Sequence, residues 1–210
     1  MKQNKAKKII LVLLVMVATV FSAPHTHDGF FLNMSLGYGY QDFAYSASEI
    51  SESGNPFIFS IDSKGISSEF DIKIGGTILP SFALHATISG IGNLSSEIES
   101  VIEYSGERES FNQEVDLFMF LMGIGVTYYI NPINIFFSGS VGITEFDIND
   151  SQMSDTGFGF QIALGKEWWV SPEWGLGVSA AFTYGKADEV NGFGDMSEYA
   201  INIMFSSTFH

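Results

Sequence analysis

Strict alternation of apolar residues with polar or small residues begins near residue 30 and recurs along the rest of the chain. In the segment GFFLNMSLGYGY, Phe30, Leu32 and Met34 would share one face of a strand. Asn33 and Ser35 would share the other face. Because successive side chains of a strand point to opposite sides, this period of two predicts a strand with one apolar face. The same alternation predicts seven further strands, over 70–78, 82–88, 118–128, 135–143, 158–164, 174–184 and 199–209.

The residues opposite these apolar faces are mainly Gly, Ser, Thr, Asn and Gln, with few charges. A soluble β-sandwich or lipocalin would instead turn a richly charged face to water. Small polar residues suit the narrow interior of an eight-stranded barrel, and large apolar residues suit contact with lipid. Each segment is near the length of about 9–11 residues that crosses a bilayer at a tilt. We therefore predict an all-β fold, an eight-stranded antiparallel transmembrane up-and-down β-barrel.

The connections between these segments alternate in length. Short proline-containing turns lie near residues 80, 132 and 172. Longer polar links cover 41–65, 90–115, 144–156 and 185–197. Short turns on one side and long loops on the other are typical of outer-membrane barrels, and they predict that both chain ends are periplasmic.

Aromatic residues recur on the apolar faces at both ends of the predicted strands. Such rings favour the headgroup level of a membrane, so we predict two aromatic girdles. The girdle at the turn end comprises Phe82, Tyr128, Trp168, Trp174 and Phe209. The girdle at the loop end comprises Tyr38, Tyr40, Phe70, Phe118, Phe158, Tyr184 and Tyr199.

The first residues have the layout of an export signal. Residues 1–8 carry four lysines, and residues 9–21 form an unbroken run of apolar or small residues. A basic start followed by an apolar run of about 7–15 residues is typical of a cleaved signal peptide, whereas a membrane-spanning helix needs about 20. We predict a signal peptide over 1–22, a short periplasmic tail over 23–29 and the barrel domain over 30–210.

Charge and cysteine content narrow the possible partners. The chain has 9 Lys and Arg against 24 Asp and Glu. Without the four signal-peptide lysines, five basic residues remain and the formal charge is −19. This balance argues against binding to nucleic acid, whose phosphates are held by lysine and arginine. The absence of cysteine excludes a lipoprotein anchor and disulfide bonds.

The pattern over residues 29–209 resembles the small bacterial outer-membrane barrels typified by OmpX and the OmpA transmembrane domain. The segment 163–185, with WWV followed by WGLG, is also similar to an uncharacterised bacterial family. The last strand alternates into Phe209, as in barrels whose final strand the assembly machinery recognises, although His210 follows here. The resemblance implies a structural, adhesive or lipopolysaccharide-contacting role without catalysis.

Several charged or polar residues fall on the predicted inner face. We predict that they form a buried network of ion pairs that fills the lumen, with Lys73 at its centre, rather than lining a cation-conducting path. The residues are Glu69, Asp71, Lys73, His85, Glu167 and Glu198.

The histidines of the sequence do not lead to a predicted catalytic or metal site. His85 shares a face with Ser89, but no third catalytic group is evident, so a hydrogen-bonded interior histidine is favoured. His25 and His27 could bind a metal, but a flexible periplasmic tail is favoured. We therefore predict no catalytic residue, no cofactor and no metal ligand.

Acidic residues are concentrated in the long links, for example at Glu99, Glu103, Glu145 and Asp188. They could bridge divalent cations to lipid phosphates or bind a basic partner, or they could only solvate the surface. The favoured prediction is a monomeric, non-enzymatic outer-membrane protein with surface-interacting loops. A narrow diffusion channel is the first alternative, and a lipid-modifying enzyme is the second.

Overall fold

A computed structural model describes residues 25–50, 56–104, 107–149, 151–190 and 194–210, so the predicted signal peptide lies outside the described part. The described residues form nine strands. They are β1 (Phe30–Ile50), β2 (Pro56–Leu79), β3 (Phe82–Tyr104), β4 (Glu107–Ile130), β5 (Ile135–Ile148), β6 (Ser151–Gln152), β7 (Gly157–Trp169), β8 (Trp174–Asp188) and β9 (Gly194–Phe209). No helix in these ranges has the length and apolar character to cross a membrane.

Eight of the strands close into a ring. The order is β4-β3-β2-β1-β9-β8-β7-β5, and pairing of β4 with β5 completes the circle. All neighbours are antiparallel, and the first and last strands meet with Leu32 opposite Phe209. The two-residue β6 pairs with the end of β5. The predicted eight-stranded antiparallel barrel is therefore confirmed.

The strands are longer than predicted, and unequally so. β1 to β4 have between 21 and 24 residues, whereas β5, β7, β8 and β9 have between 13 and 16. Much of the predicted links 41–65 and 90–115 is therefore strand. These links do not continue the alternation of the preceding segments, because the apolar residues change faces partway along the wall.

This change of face divides the barrel into two halves. We call the end with the short turns the turn end and the opposite end the loop end. In the turn-end half the outer face is apolar, and the inner face is mainly polar apart from a small buried cluster of Phe31, Ala83, Tyr129 and Phe136. In the loop-end half the inner face carries a cluster of buried apolar side chains, which we call the apolar plug. It comprises Phe43, Tyr45, Ile61, Ile91, Ile98, Val115, Leu117, Met119, Phe146, Ala187, Met196 and Ala200.

Candidate functional site

The barrel lumen contains three layers between its two ends. The apolar plug fills the loop-end half. Below it lies the polar layer, which holds Glu69, Asp71, Lys73, His85, Gln161 and Asn202. At the turn end lies a third group, the mouth cluster, made of His27, Tyr129, Glu167, Trp169 and His210.

Glu69 is the most heavily hydrogen-bonded carboxylate of the polar layer. Its Oε1 accepts hydrogen bonds from Ser89 at 3.1 Å, Gln161 at 2.8 Å and Thr183 at 3.2 Å. Its Oε2 accepts a hydrogen bond from the Asn202 amide at 2.6 Å. These donors come from β3, β7, β8 and β9, so Glu69 on β2 ties together strands across the lumen.

Lys73 lies beside this carboxylate in the same layer. Its ammonium forms an ion pair with Asp71 and donates a hydrogen bond to Gln161 Oε1 at 3.0 Å. Because the Gln161 amide also donates to Glu69, it links Lys73 to the Glu69 group. Asp71 Oδ1 has no hydrogen-bond partner among the described residues, so Lys73 is the main compensation for that buried carboxylate.

His85 is bonded to hydroxyl groups. Its Nδ1 lies 3.0 Å from Thr87 Oγ1, and its Nε2 lies 3.0 Å from Thr127 Oγ1. Thr87 continues to Ser140, and Thr127 continues to Ser138. Neither ring nitrogen is bonded to a described carboxylate. In a hydrolase triad a third group, often a carboxylate, orients the histidine base, and His85 has hydroxyl groups at both nitrogens instead.

Glu198 lies at the upper border of the polar layer, next to the apolar plug. Within the part of the chain that the structure describes, its Oε1 has no hydrogen-bond partner, and neither polar atom of the nearby Gln41 amide has one. Both side chains are buried. Glu198 is therefore held less well than Glu69, although the sequence placed both in one network.

Glu167 belongs to the mouth cluster and not to the polar layer. Its Oε1 lies 2.7 Å from His210 Nε2, and its Oε2 accepts a hydrogen bond from Tyr129 at 3.3 Å. His210 Nδ1 in turn lies 3.2 Å from His27 Nδ1. On the far side of that ring, His27 Nε2 lies 3.2 Å from Asn134 Oδ1.

Aromatic rings enclose these polar contacts. Tyr129 stacks on His27 with 3.7 Å between ring centroids, and the Trp169 ring lies 5.0 Å from both histidine rings. Burial, together with the neighbouring His210, lowers the pKa of His27 to about 4. His27 is therefore neutral at neutral pH, and one of its ring nitrogens carries a lone pair.

The segment before β1 runs across the turn-end opening. The His25 amide donates to the Pro172 carbonyl at 2.8 Å, and the Thr77 amide donates to the Gly29 carbonyl at 2.8 Å. The sequence favoured a flexible tail here. It raised His25 and His27 together as a possible metal site, but it did not connect His27 with His210. His27 precedes β1 and His210 follows β9, and these two strands pair with each other. The sequence does not give the register of that pairing, so it could not show that the two histidines are neighbours.

The interior leaves little open space beside the polar layer. A cavity of about 20 Å³, lined in part by Asn33, Ser35 and Lys73, has room for about one water molecule. Above it, Met119, Phe146 and Met196 of the apolar plug are 1% exposed or less. Over the described residues the lumen is thus a filled interior.

The residues predicted for the turn-end girdle occupy different environments. Tyr128 and Trp168 are about half exposed on the outer face. Trp174 lies 5.3 Å from the ring of Phe209, which is buried by its neighbours. The Lys166 ammonium lies 5.4 Å from the centre of the Trp168 ring and donates to the Ile133 carbonyl.

Comparison with known proteins gives a family match over nearly the whole chain. Residues 12–209 match the model described as outer membrane protein beta-barrel domain. No curated protein sequence matches the chain.

Several solved structures are similar in fold. The outer membrane protease OmpT from Escherichia coli has a TM-score of 0.47 and 10% identity, covering 86% of this chain and 98% of its own. OprG from Pseudomonas aeruginosa has a TM-score of 0.39 and 9% identity, covering 89% and 99%. Ail, the attachment invasion locus protein of Yersinia pestis, has a TM-score of 0.39 and 11% identity, covering 84% and 98%.

Proposed function

Because the chain belongs to the outer membrane protein beta-barrel domain family, we propose that it is a non-conducting, non-enzymatic protein whose acidic loop-end surface makes contacts outside the cell. The protein is an outer-membrane β-barrel of the bacterial cell. Its loop end is then extracellular and its turn end periplasmic, because outer-membrane barrels carry their long loops outside.

The apolar plug is the observation that carries the non-conducting part of this proposal. A diffusion channel needs a continuous polar path, and eight-stranded barrels have an interior that side chains just fill. Here the extracellular half of the lumen is closed by tightly packed apolar groups such as Phe43 and Phe146, whose rings lie 5.9 Å apart. These contacts favour a rigid protein over a pore.

The outer surface becomes charged at the same height along the barrel at which the lumen changes from polar to apolar. Tyr38 and Tyr40 are exposed on β1, and Asp42 follows on the same face. Asp42 forms an ion pair with Lys64 at 3.2 Å and accepts a hydrogen bond from Tyr199 at 3.0 Å. We propose that the tyrosines lie at the outer headgroup level, since amphipathic rings favour that level. The charged surface then begins just outside the lipid.

Exposed acids continue above this level on the long strands. Glu99 and Glu103 on β3 and Glu114 on β4 are exposed, and Glu103 pairs across strands with Arg108. Carboxylate oxygens are the ligands that Mg²⁺ and Ca²⁺ prefer. Such cations would bridge these carboxylates to lipopolysaccharide phosphates, which is the interaction that we propose for this surface.

The proposal can be tested by binding of lipopolysaccharide to the barrel in lipid nanodiscs. Binding should require Mg²⁺ or Ca²⁺, and chelation with EDTA should remove it. Replacing Glu99, Glu103 and Glu114 by Gln should weaken the binding. A control variant with Asp28→Asn and Glu173→Gln removes acids at the opposite end and should bind as the wild type does.

The outcomes separate the possible roles of the acidic surface. Binding that survives EDTA but is lost in the triple variant would contradict cation bridging and would favour direct contact between these side chains and lipopolysaccharide. Binding unaffected by EDTA and by the triple variant would contradict a role for the acids.

A further inference from the structure

The two histidines of the mouth cluster direct the same type of atom at each other. His27 Nδ1 and His210 Nδ1 lie 3.2 Å apart, and both rings are almost completely buried. The residues belong to chain segments that precede β1 and follow β9, so nothing in local sequence brings them together. A convergent pair of ring nitrogens is either a hydrogen bond or a pair of ligands for one cation.

The separation of the nitrogens fits ligands of a tetrahedral transition metal. Zn²⁺ binds imidazole nitrogen at about 2.0–2.1 Å, so two nitrogens of a tetrahedral site lie about 3.3 Å apart. The observed 3.2 Å between the Nδ1 atoms is close to that value. Binding would therefore need little movement of the two rings.

The opposite nitrogen of each ring is also held. His210 Nε2 lies 2.7 Å from the Glu167 carboxylate, and His27 Nε2 lies 3.2 Å from the Asn134 carbonyl oxygen. Metal-binding histidines almost always donate their second N–H to a carboxylate or carbonyl, which fixes the ring and directs the lone pair of the other nitrogen at the metal. Both Nδ1 lone pairs would then face the same point.

The same atoms also allow a metal-free arrangement. If His27 donates from Nε2 to Asn134, its Nδ1 is an acceptor, and His210 must donate to it from Nδ1. His210 Nε2 would keep its contact with the Glu167 carboxylate in this arrangement. The apo protein would hold a proton at the position that a metal takes, so metal and proton compete for one place.

We propose that the mouth cluster is a binding site for a divalent transition metal of the Zn²⁺ type, with His27 Nδ1 and His210 Nδ1 as ligands and Glu167 as the positioning residue. Ligand atoms of His27, Glu167 and His210 lie within 4.8 Å of one another, so the carboxylate also supplies negative charge to the site. The metal would fasten the segment before β1 to the end of β9 at the periplasmic opening. Imidazole ligands favour Zn²⁺ over Ca²⁺ and Mg²⁺, which separates this site from the acidic outer surface.

The test is titration of the intact barrel, purified from outer membranes in detergent, with Zn²⁺ by calorimetry. The wild type should bind one Zn²⁺, and His27→Gln or His210→Gln should each weaken binding at least tenfold. Glu167→Gln should weaken binding by about 10- to 100-fold, the usual effect of losing a residue that orients a ligand. His25→Gln is the matched control, because His25 lies in the same segment but is exposed, and it should bind as the wild type does.

A second measurement uses only the wild type, so it does not depend on whether the variants fold. X-ray absorption at the zinc edge of the wild type should show two imidazole nitrogens at about 2.0–2.1 Å. Coordination by oxygen alone would overturn the proposal. Equal Zn²⁺ affinity of the wild type and the His27→Gln variant would also overturn it and leave the hydrogen-bonded arrangement.

Discussion

Tyr40 and Phe43 lie three residues apart on β1 and face opposite sides of the barrel wall. Tyr40 is 43% exposed on the outer face, whereas Phe43 is 1% exposed in the lumen. The apolar face of the strand thus changes from outside to inside between these two residues. Below this level the wall has the polarity of a membrane barrel, and above it the wall has the polarity of a water-soluble β protein.

Replacement of Phe43 by Ala should destabilise the barrel by about 3–5 kcal/mol, the usual cost of removing a buried aromatic side chain. The loss arises because Phe43 packs against Phe146 within the apolar plug. Urea denaturation followed by tryptophan fluorescence would measure it. Phe111→Ala, at a position 44% exposed near the loop end, is the control and should cost far less. Equal losses would contradict a packed plug.

Lys73→Met should destabilise the refolded barrel by about 3–5 kcal/mol, because it leaves the Asp71 carboxylate buried without its cation. Adding Asp71→Asn to this variant should recover part of the loss, since the unpaired charge is then removed. The same urea titration measures both variants. An unchanged denaturation midpoint in Lys73→Met would show that Lys73 is not the centre of the network.

Glu69→Gln should cost about 1–3 kcal/mol, because the new amide N–H groups would face side chains that already donate to this carboxylate. The matched control is Glu198→Gln, since no described residue forms a hydrogen bond with Glu198 Oε1. The control should change the free energy of unfolding less, although both residues are buried. A larger loss in Glu198→Gln would reverse the roles assigned to the two carboxylates.

Gly142→Ala should destabilise the wall by about 1–3 kcal/mol through overpacking. Gly142 faces Gly123 across the β4–β5 pair, and an added Cβ would lie 2.5 Å from the Gly123 Cα atom. Gly139→Ala, on the same strand but facing outward, is the control. Its Cβ would come no closer than 4.0 Å to the Gln161 carbonyl oxygen, so stability should not fall. Urea denaturation of the two variants in parallel compares the effect of an added methyl group on the inner and outer sides of β5.

The number of strands and their faces in the membrane half could be predicted from sequence. Each strand there keeps one period of two, as in Leu32, Met34 and Leu36, so the pattern determines which side chains face out. The length of the strands could not be predicted in the same way. Beyond Tyr40 the apolar residues move to the inner face, and this break resembles the end of a strand.

The lumen contacts were predictable in part. The inward position of Lys73 and its neighbour Asp71 follows from alternation alone, because residues two apart share a face. The mouth cluster could not be found this way. It depends on the register that brings His210 beside His27, and on a chain segment that has no regular pattern before β1.

Single-channel recording of the barrel in planar lipid bilayers tests the central claim most directly. The protein should first show a shift in gel mobility on heating, which identifies the folded, closed barrel. The folded form should then produce no steady conductance, because the apolar plug and the mouth cluster close both ends of the lumen. Stable, ohmic conductance steps from the folded form would contradict a filled lumen and would establish a diffusion channel instead.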